Sequence, residues 1–136
     1  MERKERSENR SSKGKRVMDR CWVPAVGAAV VLAAATVLWA AEVPAPPLQL
    51  EAKVEYEGAA SVAVLQWRDM SDNELGFEIL RSDNGAEFRV VGTVGANTTT
   101  YRDRVGKYVA GAFTYKVRAF NEAGRSEESN TASVWF

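Results

Sequence analysis

The most constraining feature of the sequence is a stretch near its carboxyl end, residues 115–126, in which two sets of side chains alternate. One face carries Tyr115, Val117 and Ala119, and the opposite face carries Lys116, Arg118 and Phe120. A period of two residues is typical of a β-strand with one buried face. The residues from 121 to 126 then predict a loop, because Gly124 accepts positive φ and the polar side chains bond to nearby backbone. The stretch therefore predicts a strand and loop of a layered β-protein.

The sequence on both sides of this stretch predicts further strands separated by turn signals. Strands are expected over residues 48–54, 61–67, 76–82, 87–94, 98–103, 112–121 and 129–136. The inward side chains that we expect to form the core are Leu65, Trp67, Phe77, Ile79, Tyr115, Val117 and Ala119. On the first strand the predicted inward set is Leu48, Leu50, Ala52 and Val54. Closely spaced strands without a helix predict an antiparallel all-β sandwich of about 90 residues.

Turn chemistry supports the same architecture. Asp83-Asn84-Gly85 predicts a tight hairpin turn between the third and fourth strands, since Asn-Gly tolerates the positive φ of a primed turn. Ala112 to Asn121 is expected to be the strand that leads into the Gly124 loop. We therefore predict hairpin connections and antiparallel pairing.

Three motifs in these strands resemble the fibronectin type III family. Residues 115–126 meet the family pattern Tyr-x-Val-x-Ala-x-Asn-x-x-Gly-x-Ser at every position, and Leu65-x-Trp67 matches its second-strand signature. Residues 76–82 resemble the third strand of bacterial members. The resemblance covers about residues 44–136 and implies an immunoglobulin-like sandwich of seven strands, in sheets of three and four, with no required disulfide.

The resemblance also implies roles for particular residues. It makes Tyr115 the tyrosine corner, with its hydroxyl bonded to nearby backbone, and it makes Trp67 the anchor of the core. Residues 105–111 depart from the family pattern, because they lack its Pro-Gly turn. This departure leaves the geometry of that corner open.

The amino-terminal part of the chain has a different character. Residues 1–20 carry eight basic and four acidic side chains, and residues 21–41 carry no charge. As a helix, residues 21–41 would be about 31 Å long, enough to cross the hydrocarbon core of a bilayer. Trp22 and Trp39 lie near its two ends, where indole rings favour the membrane interface. We predict that this hydrophobic helix precedes the β-domain and directs it out of the cytoplasm.

Two interpretations of this segment stay open. As a signal anchor, residues 21–41 remain in the membrane as a transmembrane helix behind a cytoplasmic basic tail, residues 1–20. As a cleaved signal, the two segments are its h-region and n-region, and the domain is secreted or periplasmic. The cleavage site is a poor one, which favours the anchor. The Pro-rich residues 42–47 predict a stiff spacer before a domain over residues 48–136.

The composition argues against a catalytic site. The chain has no histidine, and Cys21, its only cysteine, lies outside the predicted domain. The domain therefore lacks the usual general base and any thiol, and no Gly-rich phosphate loop or catalytic serine motif is present. Residues 69–74 are rich in oxygen ligands, but their spacing fits no EF-hand. We expect no enzymatic activity, no cofactor, no metal and no nucleic-acid partner.

A non-catalytic sandwich behind an export segment favours a binding role. We predict an extracytoplasmic protein-binding or adhesion module, with membrane contact through residues 21–41 if they are retained. The candidate partner contacts are Asp72, Glu74, Lys116, Arg118, Phe120, Glu122, Arg125 and Trp135. Phe120 and Trp135 are the most informative of these candidates, because aromatic side chains are enriched at interfaces.

Two alternatives to protein binding also stay open. The first is a structural spacer domain of a modular cell-surface protein. The second is a carbohydrate-binding module, in which Phe120 and Trp135 form a stacking platform for a polysaccharide.

Overall fold

A computed structural model describes residues 41–136. It contains eight strands: β1 Leu48–Glu57, β2 Ala60–Arg68, β3 Gly76–Asp83, β4 Arg89–Gly95, β5 Thr100–Lys107, β6 Ala112–Asn121, β7 Gly124–Arg125 and β8 Ala132–Trp135. Within this part of the chain, no helix is long and apolar enough to cross a membrane. The hydrophobic helix predicted for residues 21–41 lies outside the described residues, apart from Ala41.

The strands form two antiparallel sheets. One sheet has the order β1-β2-β5, and the other has the order β4-β3-β6, with β7 and β8 both paired to β6. The predicted antiparallel sandwich is therefore confirmed. The second sheet has one strand more than expected, because Gly124 and Arg125 fold back and pair with Asn121 and Phe120.

Strands that are buried in the middle of a sheet follow their predicted bounds most closely. The strand β6 spans Ala112–Asn121 as predicted, while β2 and β3 each gain one residue at one or both ends. The strand β5 begins two residues later than predicted and runs on to Lys107, past the predicted end at Asp103. The corner that the sequence left open therefore begins only at Tyr108.

The core lies between the two sheets. Each of the seven predicted core side chains is at most 4% exposed, and they pack in one cluster with Leu50, Ala63, Phe113 and Val134. The rings of Trp67 and Phe77 lie 5.6 Å apart in a tilted arrangement. Both sheets contribute to this layer, so the alternation in the sequence is explained by burial of one face of each sheet.

The first strand departs from its predicted pattern. Leu50 is buried, but Leu48 is 44% exposed and Val54 is 38% exposed. The pairing register with β2 shifts between Leu48 and Glu51, where Gln49 adopts a φ of 54°. This bulge turns Leu48 away from the core, because an extra residue in one strand reverses the alternation beyond it.

The turn predicted at Asp83-Asn84-Gly85 is present, but β3 and β4 pair only from Arg81 and Arg89 onward, so the connection is longer than a two-residue hairpin. Asn84 and Gly85 have φ values of 50° and 79°, and the Ala86 N–H donates to the Asp83 carbonyl at 3.0 Å. Positive φ at both central residues is the geometry of a type I′ turn, which matches the twist of the strands that it joins.

The Pro-rich segment lies against the domain. Pro44 and Pro47 are buried, and the Glu42 carbonyl accepts hydrogen bonds from Nδ2 of Asn73 at 3.0 Å and of Asn121 at 2.7 Å. These contacts hold residues 42–47 on the loops at one end of the sandwich, which we call the amino-terminal end. The residues predicted to form a stiff spacer therefore pack against the domain.

Candidate binding surfaces

A polar cluster in the core contradicts the predicted role of the Tyr115 hydroxyl. The hydroxyl donates to Oδ2 of Asp103 at 2.9 Å and not to backbone. The same carboxylate oxygen accepts a hydrogen bond from Nη1 of Arg81 at 2.8 Å. Asp103 projects inward from β5, opposite Ala63 of β2, while Arg81 is paired with Tyr115 across β3 and β6. The three side chains therefore join the two sheets inside the sandwich.

The cluster shifts two ionisation equilibria in the direction that keeps it intact. Burial raises the pKa of Tyr115, and the negative charge of Asp103 raises it further, so the hydroxyl stays protonated. Burial alone would lower the pKa of Arg81, but hydrogen bonds to Asp83 and Asp103 outweigh burial and raise it. The cluster thus consists of a neutral tyrosine hydroxyl that donates to the carboxylate of a salt bridge.

The basic residues predicted as partner contacts are held in ion pairs on the outer face of the second sheet. Glu78 of β3 lies between Arg118, at 2.6 Å, and Arg125, at 2.9 Å. Hydrogen bonding from Arg125 lowers the pKa of Glu78 against the opposing effect of burial, and Arg118 lowers it further. Nζ of Lys116 lies 2.9 Å from Glu128. Each of these three basic side chains therefore has an acidic partner within the domain.

The acidic candidates divide into two groups. Glu74, which was predicted as a partner contact, is only 8% exposed, and both of its carboxylate oxygens accept hydrogen bonds within the domain. Its Oε1 accepts a hydrogen bond from the Asn97 N–H at 3.1 Å, and its Oε2 accepts one from the Ser71 hydroxyl at 2.8 Å. Glu74 therefore connects the two loops that contain these residues. Asp72 and Glu122 are exposed at the amino-terminal end.

The two aromatic candidates lie at opposite ends of the second sheet. Phe120 is paired with Gly76 at one end of β6, whereas Trp135 is paired with Ala112 at the other. Eight residues of a strand separate Phe120 from Ala112, which is about 26 Å. The two rings therefore cannot form one stacking platform. Phe120 is also partly buried, since its ring lies over the backbone of Gly76.

Among residues 41–136, the most exposed aromatic side chains lie at the end of the sandwich that carries Trp135. Tyr108 is 88% exposed, Trp135 is 72% exposed and Tyr56 is 65% exposed. The Tyr108 N–H donates to the Ala59 carbonyl of the β1–β2 turn at 3.2 Å, and the ring of Tyr56 lies 6.2 Å from that of Phe136. We call Tyr56, Tyr108 and Trp135 the aromatic end.

Tyr108 was missed by the sequence analysis. Its φ is 53°, a left-handed conformation that is unusual for a bulky residue. The only sequence signal for it was an aromatic residue between Gly106 and Gly111, in the segment that departs from the family pattern. Both glycines adopt positive φ, so this corner is built from three unusual backbone positions.

The aromatic end is the one farthest from residue 41. Glu42 is held at the loops that contain Asn73 and Asn121, and Asn121 is the last residue of β6. The first residue of β6, Ala112, pairs with Trp135. Because β6 has ten residues, about 30 Å separates the two ends.

No protein-family model matches the chain, and no curated protein matches it. Among solved structures, a β-1,2-glucanase from Parabacteroides distasonis matches 71% of this chain at 25% identity with a TM-score of 0.58, but the match spans only 13% of the glucanase. An Fn3-like protein from Clostridium thermocellum matches 66% of this chain and 90% of its own length, at 24% identity and a TM-score of 0.53. A titin segment matches 69% of this chain and 32% of its own length, at 19% identity and a TM-score of 0.55.

These similarities agree with the sheet order and with the core. The three motifs noted in the sequence supply Trp67, Phe77 and Tyr115, and all three side chains meet in the layer between the sheets. The described part of the chain, residues 41–136, is a fibronectin type III-like domain.

Proposed function

We propose that this domain is a non-catalytic binding module, displayed outside the cytoplasm behind residues 21–41, that contacts a protein partner through its aromatic end. The observation that carries the proposal is the exposure of Tyr108 and Trp135, at 88% and 72% respectively. Large aromatic side chains supply much of the binding energy of protein interfaces. Their position at the end farthest from residue 41 suits a module that is tethered at its amino terminus.

The chemistry of the other surfaces supports the choice of this end. On the outer face of the second sheet, the three basic side chains are held in ion pairs with Glu78 and Glu128. A partner that approached it would have to break ion pairs or desolvate them, which costs free energy. At the aromatic end, a partner would instead bury the exposed rings of Tyr108 and Trp135, which is favourable.

The similar solved structures support a module and not an enzyme. The Fn3-like protein is matched over 90% of its solved chain, so that chain is little larger than the matched domain. In the glucanase the similar region is a small part, 13% of the chain. Such a module binds or positions, while the chemistry belongs to other parts of the protein.

A capture experiment tests the proposal. The full chain, immobilised in detergent micelles, is incubated with envelope proteins of the source cells, and the retained proteins are identified. Tyr108→Ser with Trp135→Ser is expected to lose the specific partner. Leu75→Ser is the matched control, because Leu75 is 55% exposed at the opposite end. A partner that is lost with Leu75→Ser and kept with the aromatic variants would contradict the proposal, and so would the absence of any specific partner, which would favour a spacer.

A further inference from the structure

The free edge of β1 carries the strongest unassigned feature of the domain. Among the described residues, 41–136, this strand pairs on one side only, with β2, and it forms one edge of its sheet. Its last residues are open on the inner face as well, since Val54 is 38% exposed and Tyr56 is 65% exposed. An uncovered edge strand of this kind offers its backbone to another strand.

The hairpin geometry decides which backbone groups point outward. A two-residue turn at Gly58 and Ala59 closes the hairpin on the pair formed by Glu57 and Ala60. Such a turn closes on a hydrogen-bonded pair, and hydrogen-bonded and non-hydrogen-bonded pairs then alternate along the ladder. The N–H and C=O groups of Val54 and Tyr56 therefore point away from β2, to the free edge.

The charges on the outer face of this edge are self-complementary. Lys53 and Glu57 lie four residues apart, with Glu55 between them. If two copies of β1 run antiparallel with Glu55 on the two-fold axis, Lys53 of each copy faces Glu57 of the other. Val54 then faces Tyr56, and these are the residues whose backbone groups are free. One register thus gives each Lys53 an acidic partner, pairs Val54 with Tyr56 and bonds their free backbone groups. Glu57 also lies 2.8 Å from Arg102 of its own chain.

The surroundings of these charges favour that register. Lys53 makes no ion pair within residues 41–136, so it is available to a second copy. The pairing brings two Glu55 side chains together at its centre, but each Glu55 already lies 2.8 Å from Nη1 of Arg102 in its own chain. Arg102 therefore screens the one like-charged pair that the register creates.

We propose that two copies of this chain associate through the β1 edge, in antiparallel register centred on Glu55, to form one continuous six-stranded sheet. Its strand order is β5-β2-β1 followed by β1-β2-β5 of the second copy. The interface joins few residues of each chain, which makes it a small one by the standards of stable complexes. We therefore expect a weak, concentration-dependent dimer.

The geometry of this dimer has a consequence for the tether. Glu55 lies near the aromatic end, whereas Leu48 lies about 23 Å away along the strand towards the amino-terminal end. Antiparallel pairing therefore points the two amino termini in opposite directions. If residues 21–41 anchor the chain, as in the proposed function, the two copies come from facing membranes. The pairing itself does not depend on that anchor.

Cysteine cross-linking of the full chain in detergent micelles tests the register. All variants carry Cys21→Ser, which removes the only native thiol. Glu55→Cys is expected to form a disulfide-linked dimer under mild oxidation, because Cα atoms of a non-hydrogen-bonded pair are about 4.5 Å apart, within the range for a disulfide. Lys53→Cys is the matched control, since its two copies would be about 13 Å apart. A mixture of Lys53→Cys and Glu57→Cys chains is expected to cross-link.

Charge reversal gives an independent measurement. Lys53→Glu replaces two attractive pairs by two repulsive ones and is expected to weaken association about tenfold, and Glu57→Lys on the same chain is expected to restore it. Failure of Glu55→Cys to cross-link, or equally fast cross-linking of Lys53→Cys alone, would overturn the proposal. The capture experiment for the protein partner uses variants of Tyr108 and Trp135 and not of β1. Failure of the dimer proposal is therefore distinguishable from failure of the proposed function.

Discussion

Removal of the Tyr115 hydroxyl tests whether the polar cluster in the core stabilises the domain. In Tyr115→Phe, the ring stays in place and only the 2.9 Å hydrogen bond to Asp103 is lost. A hydrogen bond to a charged group contributes about 1.5–3 kcal/mol. Asp103 keeps its bond to Arg81, so no charge is left without a partner. We expect a loss of about 2 kcal/mol in the free energy of unfolding, near the middle of that range.

Removal of the carboxylate is expected to cost more. Asp103→Ala leaves the buried Tyr115 hydroxyl without its acceptor and takes one of two carboxylates from Arg81. Breaking a buried pair from one side typically costs about 3–5 kcal/mol. Because small domains are stable by about 5–15 kcal/mol in total, this variant is expected to lose a large fraction of the free energy of unfolding. Arg81 retains Asp83, which keeps its charge from being fully isolated.

Chemical denaturation of residues 41–136, followed by tryptophan fluorescence, measures both variants. In thermal denaturation of a domain of this size, the same loss of about 2 kcal/mol would lower the melting temperature by about 8–16 °C. Tyr101→Phe is the matched control, because the Tyr101 hydroxyl makes a long hydrogen bond of 3.4 Å to the Val91 carbonyl. A double-mutant cycle between Tyr115→Phe and Asp103→Ala reports the coupling of the pair directly.

The result that would refute this reasoning is a Tyr115→Phe variant that is no less stable than Tyr101→Phe. A coupling free energy near zero in the cycle would have the same meaning. In either case the hydroxyl would not hold the two sheets together through Asp103, and only the ring of Tyr115 would contribute to stability.

Three further predictions use the same denaturation assay. Gly76→Ala is expected to cost about 1–3 kcal/mol, because a Cβ at this position would meet the Val94 carbonyl oxygen; an unchanged midpoint would contradict the packing. Glu78→Gln is expected to reduce the acid sensitivity of the domain: two flanking arginines lower the pKa of Glu78 in the folded state, so its contribution is present above about pH 4.3 and is lost as the pH falls through the folded pKa. A denaturation midpoint with the same slope against pH between 2 and 6 would argue against this. Asn130→Ala is expected to lower the free energy of unfolding by about 1–3 kcal/mol, since the Asn130 side chain exchanges two hydrogen bonds with the backbone of Leu50, at 2.9 and 3.0 Å. Asn130→Asp keeps only the acceptor, so its stability is expected to lie between those of the native domain and Asn130→Ala.

The alternation of side chains predicted the central strands well and the edge strands poorly. The strand β6 has neighbours on both sides and a sheet opposite, so the period of two in its sequence corresponds directly to burial of Tyr115, Val117 and Ala119. Periodicity reports which face of a strand is apolar. It does not report where a neighbouring strand ends, which is why the bounds of β5 and β8 differ from those predicted.

The polar interior could not be derived from the sequence alone. Asp103 was predicted only as the end of a strand and Arg81 only as a strand residue, because neither has a local pattern that marks it as buried. The two residues meet through pairing of distant segments, 22 positions apart in the sequence. A charged residue on the inward face of a strand was the one available signal, since charged side chains are rarely buried unless they are paired.

The same limit explains why the candidate binding surfaces changed most between sequence and structure. Candidates such as Arg118 were chosen because their parity placed them on an outer face. A side chain on an outer face is available to a partner only if its neighbours do not already bind it, and Glu78 binds Arg118. Tyr56 shows the converse, because its parity is inward and it is nevertheless exposed. It lies beyond the part of β1 that the opposite sheet covers, where it meets only the ring of Phe136 among the aromatic side chains. Apolar residues that lie on the inner face of an edge strand and are nevertheless exposed are therefore the more informative sign of a contact. At such positions the opposite sheet does not cover the apolar face of the strand.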